Sequence, residues 1–518
     1  MTTVVDRLRD GPPKDGPVGW LMTVGVTVVA FLIRLWHLGQ PSAVMFDESA
    51  YAKDAFSLYQ FGYEGTWGDA SVVDPAVVHG DTSSLTAVGS FVSHPEVGKW
   101  LIGAGEALFG MNPFGWRFAS LIFGTLLVFV VIRLGRRLSR STMVGCLAGL
   151  FIAVDGLSFV MSRIAMLDIF QVFFIVAGVA TVIADRDYYR QKLADALERT
   201  PNTSFDGQRG PFVIRPWLVV AGVMFGLACA TKWNAVFPLV VFAVLSLVWS
   251  VSARRLAGAG RAKWWSFLFD GAQAFVSLVV LPIALYIVTW AGWLLTAGGY
   301  DRQWGAVNPD NWAVRHFGSA LGSLWHYTQA MYAWHTGAAM ASINHPYASN
   351  PIGWPVVART IGVYAETDIP SGTQDCAAPA GETCMRVVTG LGTPLLWWGA
   401  TAALVFGLVW CVIRRDWRWL VVILATCATW VPWFFAGRGS LFSYYALTMI
   451  PFMAIGLAMA LDTFVKALKP DRRRLGILLV VVFVVLVIAD FAFNYPIYTG
   501  QMLPTSHWLW RMWFPGWI

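Results

Sequence analysis

The chain has 518 residues, of which 57% are hydrophobic and only 13% charged. Soluble domains carry about 25% charged residues, so this composition excludes a protein wetted on all sides and points to a membrane-integral one. The net charge of +7 does not indicate a nucleic-acid partner, because the basic residues sit in short clusters beside apolar runs, the pattern that sets membrane topology.

Residues 1–17 read as a polar cytoplasmic tail. The first apolar run, 18–38, is long enough to cross a hydrocarbon core of about 30 Å and lacks a small-residue cleavage site, so it reads as a retained helix. Hydropathy predicts about eleven spans, near 18–36, 113–134, 142–161, 165–184, 215–231, 233–251, 267–295, 389–413, 417–435, 442–465 and 475–494. The expected organisation is an all-α polytopic protein with one membrane domain over 18–518. Basic clusters follow the second span (Arg133, Arg136, Arg137, Arg140), the sixth (Arg254, Arg255, Arg261, Lys263), the eighth (Arg414, Arg415, Arg418) and the tenth (Lys466, Lys469, Arg472, Arg473, Arg474). An inside N-terminus and an outside C-terminus make every cluster cytoplasmic, and the basic stretch 184–215 joins them. Asn202-Thr203-Ser204 matches a glycosylation sequon but falls on this inner side, so it reads as chance.

Two long segments, 37–112 and 297–391, then lie outside. Tyr51, Ala55, Leu58 and Tyr59 recur at helical spacing in the first and predict an interfacial helix. A second helix is expected to start at Ser93-His94-Pro95-Glu96, where Ser93 and Glu96 resemble a capping box. Four of the six cysteines fall in spans. Cys376 and Cys384 share the second outer segment, where a disulfide is permitted but sequence leaves its geometry open.

Ionisable residues at membrane depth are functional candidates by default, and the topology gathers most of them at the outer face. These are Asp47-Glu48, His94, Lys99, Arg117, Arg163, Asp168, Lys232, His345 and Arg438. The cations suit a phosphate group, the acids suit activation of a hydroxyl, and the surrounding Trp and Tyr suit sugar faces. Several have a plainer reading. Asp47 also fits an N-cap, with Glu48 in the first turn. Arg163 and Asp168 also fit an ion pair, Lys99 and Arg438 also fit cations reaching toward headgroups, and His345 also fits a hydrogen-bonded loop residue. Asp155, inside the third span, needs a partner that sequence does not identify.

Several of these residues stand in a familiar order. Phe46-Asp47-Glu48, His94-Pro95-Glu96-Val97-Gly98-Lys99, Trp116-Arg117-Phe118, Ser162-Arg163-Ile164-Ala165-Met166-Leu167-Asp168, Thr231-Lys232-Trp233, His345-Pro346-Tyr347-Ala348-Ser349, Trp354-Pro355 and Ser443-Tyr444-Tyr445 follow one another. This ordered set resembles the protein O-mannosyltransferase family across nearly the whole chain. The resemblance implies a GT-C fold, an external active site, a polyprenyl-phosphate-mannose donor and Ser/Thr hydroxyls of exported polypeptides as acceptors, with inversion at the sugar. Carried onto this chain, it makes Asp47 the general base and gives Glu48 a role in orienting the acceptor or the loop. Lys99, Arg117, Arg163, Asp168, Lys232 and Arg438 become donor-phosphate or structural residues, and His94, His345, Tyr347 and Trp354 line the acceptor or sugar side. The chain departs from the family in lacking room in 297–391 for the β-trefoil-type module of eukaryotic members, and in carrying Glu96 where a second Pro is common.

No Cys/His cluster or metal-loop spacing is present, so neither a metal nor a cofactor beyond the lipid-linked donor is expected. The expected partners are membrane lipids, the donor, and unfolded Ser/Thr-rich polypeptides in transit, near a secretion channel. The plasma membrane is the expected location. Two alternatives stay open: a GT-C enzyme transferring a monosaccharide to a lipid or glycan, and a secondary transporter, although no internal repeat is visible. An oligosaccharyltransferase is disfavoured, because Trp397-Trp398 is followed by Gly399 and not by Asp.

Overall fold

The computed structural model describes all residues except 1–2, 10, 12–14 and 201–202. Asn202 of the sequon therefore lies outside the described residues. After a short helix at Val4–Leu8 comes the first long apolar helix, α1 (Pro17–Leu35), followed by the shorter helices α2 (Glu48–Phe61) and α3 (Val97–Phe109). It re-enters the bundle as α4 (Pro113–Ser139), α5 (Thr142–Ala153), α6 (Gly156–Met161), α7 (Leu167–Leu197), α8 (Pro216–Cys229), α9 (Trp233–Leu256) and α10 (Gly260–Thr289). After α11 (Trp312–Thr336) come α12 (Pro394–Arg414), α13 (Trp417–Phe435), α14 (Ile450–Ala467) and α15 (Pro470–Thr499).

Every predicted span meets a helix, but among the described residues nine are long and apolar enough to cross a bilayer. The exceptions are α5 and α8, of 12 and 14 residues, which rise only about 18 and 21 Å at 1.5 Å per residue. The third predicted span is broken by Asp155, which caps α6. Its carboxylate accepts hydrogen bonds from Ser158 N (2.8 Å), Trp397 Nε1 (2.7 Å) and Thr393 N (3.2 Å). These N–H donors are the partners that sequence did not identify.

α7 sits at the centre. Of its most apolar stretch 83% is buried, against 22% for α1, α10 and α15, whose exposed Val, Leu and Ile form a lipid-facing shell. It is apolar on every side, as a helix surrounded by others must be. It also runs well past its predicted end at 184, because the charged residues after Ala184 find partners at the end of the bundle where the basic clusters gather. Asp185 pairs with Arg215 and Asp187 with Arg137 (3.1 Å), and Tyr189 O–H donates to Asp270 of α10 (2.9 Å), which itself pairs with Arg254 of α9 (2.9 Å). The N-terminal segment joins this end through Asp15, which pairs with Arg133 (2.5 Å). The C-terminal segment lies at the opposite end.

That opposite end carries α2, α3, α11 and a three-stranded antiparallel sheet, an addition to the helical bundle that the sequence reading did not anticipate. The sheet has the order β1 (Ile361–Pro370), β2 (Thr383–Gly390), β3 (Met502–Pro504). Cys384 on β2 is bonded to Cys376, with Cα atoms 5.7 Å apart. β3 comes from the C-terminal segment, which packs further on the second external segment through Trp517 Nε1, 2.7 Å from Val357 O. The expected helix in 37–112 is α2. The start of α3 differs from expectation: it begins at Val97 with no side-chain cap, and Glu96 accepts from Trp100 Nε1 (3.1 Å) instead of closing a capping box. A proline disfavours helical backbone at the residue before it, which fits the later start of the helix.

Candidate active site

The N-terminal ends of α2, α7 and α9 and the C-terminal end of α11 meet the turn after α13 around a cavity of about 680 Å³. This lies within the range of small-molecule sites. Six predicted residues line it: Asp47, His94, Asp168, Lys232, His345 and Arg438.

Asp47 is placed by its neighbour. Phe46 adopts φ 48°, an uncommon left-handed conformation for a bulky residue, and Glu48 Oε2 holds the turn by accepting from Met45 N at 2.9 Å. The same carboxylate takes two hydrogen bonds from Arg117 (2.8 and 2.9 Å) and one from Ala165 N (3.0 Å). Glu48 and Arg117 are fully buried. Asp47 is the N-cap of α2 by position, yet its side chain makes no capping hydrogen bond. Among the described residues it has no hydrogen-bond partner at all, which removes the plain capping explanation. Burial, reinforced by Asp168 and opposed by Lys232, raises its carboxyl from 3.8 to about 6.

Across the cavity Lys232 Nζ lies 2.6 Å from Asp168 Oδ2, joining the start of α9 to the first turn of α7. Lys232 also faces the rings of Tyr444 and Tyr445 at 5.8 and 5.9 Å. Arg438 Nη1 donates to Tyr445 O–H (3.3 Å), while its buried Nε has no partner among the described residues. Tyr445 stacks on Trp433 with centroids 4.2 Å apart. His94 lies against His335 (4.9 Å), and burial holds the His94 ring well below its usual pKa, neutral at pH 7. His335 Nε2 is 2.6 Å from Ser93 O.

The other expected residues stand elsewhere. Glu48 and Arg117 are outside the cavity, and their polar atoms are spent on each other and on the carbonyls of Leu38, Pro41 and Ala43. Arg163 does not pair with Asp168; it donates to the carbonyls of Arg34, Trp36 and His37, fixing the end of α1. Lys99 neither reaches for headgroups nor faces the cavity. It is 1% exposed and pairs with Glu64, with Asp54 at 3.9 Å. Tyr347 and Trp354 do not line the cavity. Tyr347 N donates to His345 Nδ1 (3.1 Å), and Trp354 Nε1 donates to Ser349 Oγ (2.9 Å), so both brace the loop that carries His345. Among the described residues no group of three His, Cys, Asp or Glu side chains is placed to hold a metal.

The sequence reading missed His335, Gln171, Asn234 and Trp433, which also line the cavity. Asn234 had a signal, two residues after Lys232. His335 had none, since its place depends on how α11 folds back over the bundle.

The chain matches the family model for dolichyl-phosphate-mannose-protein mannosyltransferases over residues 24–292, and that for the C-terminal four-TMM region of protein-O-mannosyltransferase over 320–517. It is 35% identical to the polyprenol-phosphate-mannose–protein mannosyltransferase of Mycobacterium tuberculosis, covering 98% of this chain and 94% of that one. It is 31% identical to the protein of the same name from Corynebacterium glutamicum, covering 95% and 92%. Among solved structures, the S. cerevisiae protein O-mannosyltransferase Pmt1-Pmt2 complex bound to the sugar donor superposes with a TM-score of 0.71 at 14% identity, covering 99% of this chain and 94% of that one. The archaeal oligosaccharyltransferase AglB from Archaeoglobus fulgidus follows at 0.51 and 13%, covering 92% of this chain and 56% of that one. At these identities the two structures speak to the fold, while the sequence matches speak to the family. The chain is thus a multi-pass membrane glycosyltransferase of GT-C fold and belongs to the dolichyl-phosphate-mannose-protein mannosyltransferase family.

Proposed function

We propose that this enzyme moves mannose from polyprenyl-phosphate-mannose to Ser or Thr hydroxyls of exported polypeptides, at the outer face of the plasma membrane and with inversion. The observation that carries the mechanism is Asp47: a part-buried carboxylate whose side chain has no hydrogen-bond partner among the described residues, in one cavity with Lys232 and Arg438. Asp47 takes the proton of the acceptor hydroxyl as its oxygen bonds to the sugar C1. The bond from C1 to the phosphate oxygen breaks with its electron pair on the leaving lipid phosphate, whose charge Arg438 and Lys232 balance. The two stacked rings Trp433 and Tyr445 offer an apolar wall for the sugar.

Topology supports the same side for the reaction. Asp168 faces the cavity and Arg186 lies 18 residues later on α7, about 27 Å away at 1.5 Å per residue. The basic end is then cytoplasmic with the N-terminal segment, and the cavity and C-terminal segment are outside. Acceptors enter as unfolded chains, since a side-chain hydroxyl must reach a carboxylate recessed in the cavity. A position near a secretion channel follows from that need.

The test is transfer of labelled mannose from polyprenyl-phosphate-mannose to a Ser/Thr-rich peptide by the purified protein, with Asp47→Asn alongside. Transfer by the unaltered protein and its loss in the folded variant support donor, acceptor and base together. Near-normal turnover by Asp47→Asn would remove Asp47 as the base. Donor binding without peptide transfer would redirect the acceptor to a lipid or glycan.

A further inference from the structure

Gln171 lies one turn beyond Asp168 on α7 and is 1% exposed. Its Nε2 donates to the backbone carbonyl of Lys232 (2.9 Å) and to Asn234 Oδ1 (2.5 Å). The orientation of both amides follows from chemistry. A backbone carbonyl only accepts, so the nitrogen of Gln171 must face it; the second proton on that nitrogen then requires the oxygen of Asn234. Two atoms are left over. Gln171 Oε1 is buried with no partner among the described residues, and Asn234 Nδ2 donates to none of them. Both residues line the cavity beside Asp168 and Lys232.

A buried acceptor without a donor is a standing penalty that a bound ligand can relieve. An acceptor and a donor side by side suit a group that is both, which is a hydroxyl or a pair of neighbouring hydroxyls. A phosphate oxygen has no proton for Gln171 Oε1, and its charge is matched by Arg438 and Lys232. The acceptor hydroxyl must sit at Asp47 to lose its proton. The sugar ring of the donor is the remaining source.

We propose that Gln171 and Asn234 read a hydroxyl of the donor sugar and so determine which sugar is transferred. This rests on the mannose-donor reading above. Lys232 links the two functions, its ammonium paired with Asp168 and its carbonyl orienting Gln171.

The experiment measures kcat/KM for polyprenyl-phosphate-mannose and each of its monodeoxy analogues, with the unaltered protein, Asn234→Asp and Gln171→Met. Asn234→Asp still accepts from Gln171 but presents an oxygen where an N–H stood. Gln171→Met keeps the length and removes both polar atoms. The unaltered protein should disfavour at least one monodeoxy analogue by about tenfold to a hundredfold, the penalty of leaving one buried acceptor unsatisfied. In the variants that discrimination should collapse, because the mannose donor loses rate while the analogue does not. A uniform loss across all donors, with the discrimination intact, would show a purely structural role and overturn the proposal. The part-exposed Asn234 makes Asn234→Asp the safer variant should Gln171→Met not fold. Failure of the unaltered protein to use any of these donors would instead overturn the mannose-donor reading, and this proposal with it.

Discussion

The two ends of the helical bundle use buried charge in opposite ways. At the inner end, among the described residues, Asp185 pairs with Arg215 and Asp270 with Arg254, which also bonds the carbonyl of Pro211. The unpartnered Asp185 Oδ1 and Arg186 Nε there belong to groups that are already ion-paired. At the other end the side chain of Asp47, Arg438 Nε and Gln171 Oε1 have no hydrogen-bond partner among the described residues, around a cavity large enough for a ligand. Matched charges at the inner end tie helices together, where an unmatched one would be expelled. Open groups that line a cavity cost stability which a bound substrate can relieve. The contrast is sharpest between Asp47 and Glu48, adjacent in sequence, one open to the cavity and the other wholly used in holding Arg117 and the turn.

The comparison can be broken most directly at that pair. Asp47→Asn should lower kcat by about a hundredfold to ten-thousandfold, the usual share of a general base, in the transfer assay above. Its melting temperature should hold or rise, because a carboxylate pushed up by burial is unfavourable in its charged form. Glu48→Ala should do the reverse and fail in folding before catalysis. Leaving Arg117 buried without its partner should cost about 3–5 kcal/mol, seen as a lower yield and melting temperature. A Glu48→Ala protein of normal stability and no activity would erase the distinction drawn between these two acids.

Arg438→Gln should raise KM for the donor about tenfold, equivalent to about 1.4 kcal/mol, with a smaller change in kcat. A change in kcat alone would place Arg438 away from the ground-state phosphate. The pH profile is a gentler probe. Asp47 acts as a base only when deprotonated, and its carboxyl stands at about 6. The rate should therefore fall with acid below that value and level off above it, and Asp47→Asn should flatten the residual profile. At the inner end, replacing Arg254 and Asp270 together by Met and Leu should leave transfer within about twofold, since an apolar pair often substitutes for a buried ionic one. Strong loss of transfer there would mean that the inner end does more than hold helices.

The sequence reading placed Asp47, His94, Asp168, Lys232, His345 and Arg438 at the outer face, and all six line the cavity. It placed Glu48, Arg117, Arg163 and Lys99 with them for the same reason, namely charge at the same depth. Depth is legible in a chain because the apolar runs are one-dimensional rulers. Direction is not: whether a cation at that depth faces a cavity or a ring of carbonyls depends on which segments fold beside it. Arg163 is the plainest case, since its partners lie on residues 34, 36 and 37, more than a hundred positions earlier.

Composition and patterning by themselves determined the membrane class, the approximate spans and the side on which the basic clusters gather, because burying charge in hydrocarbon is costly wherever the chain goes. The order of motifs determined the family. Tertiary structure alone decided that α5 and α8 fall short of the bilayer, that three strands assemble at the outer end, and that Cys376 meets Cys384. It also decided which polar groups are matched and which are left open. That last choice defines the site, and it depends on hydrogen bonds between segments far apart in the chain, which no local pattern encodes.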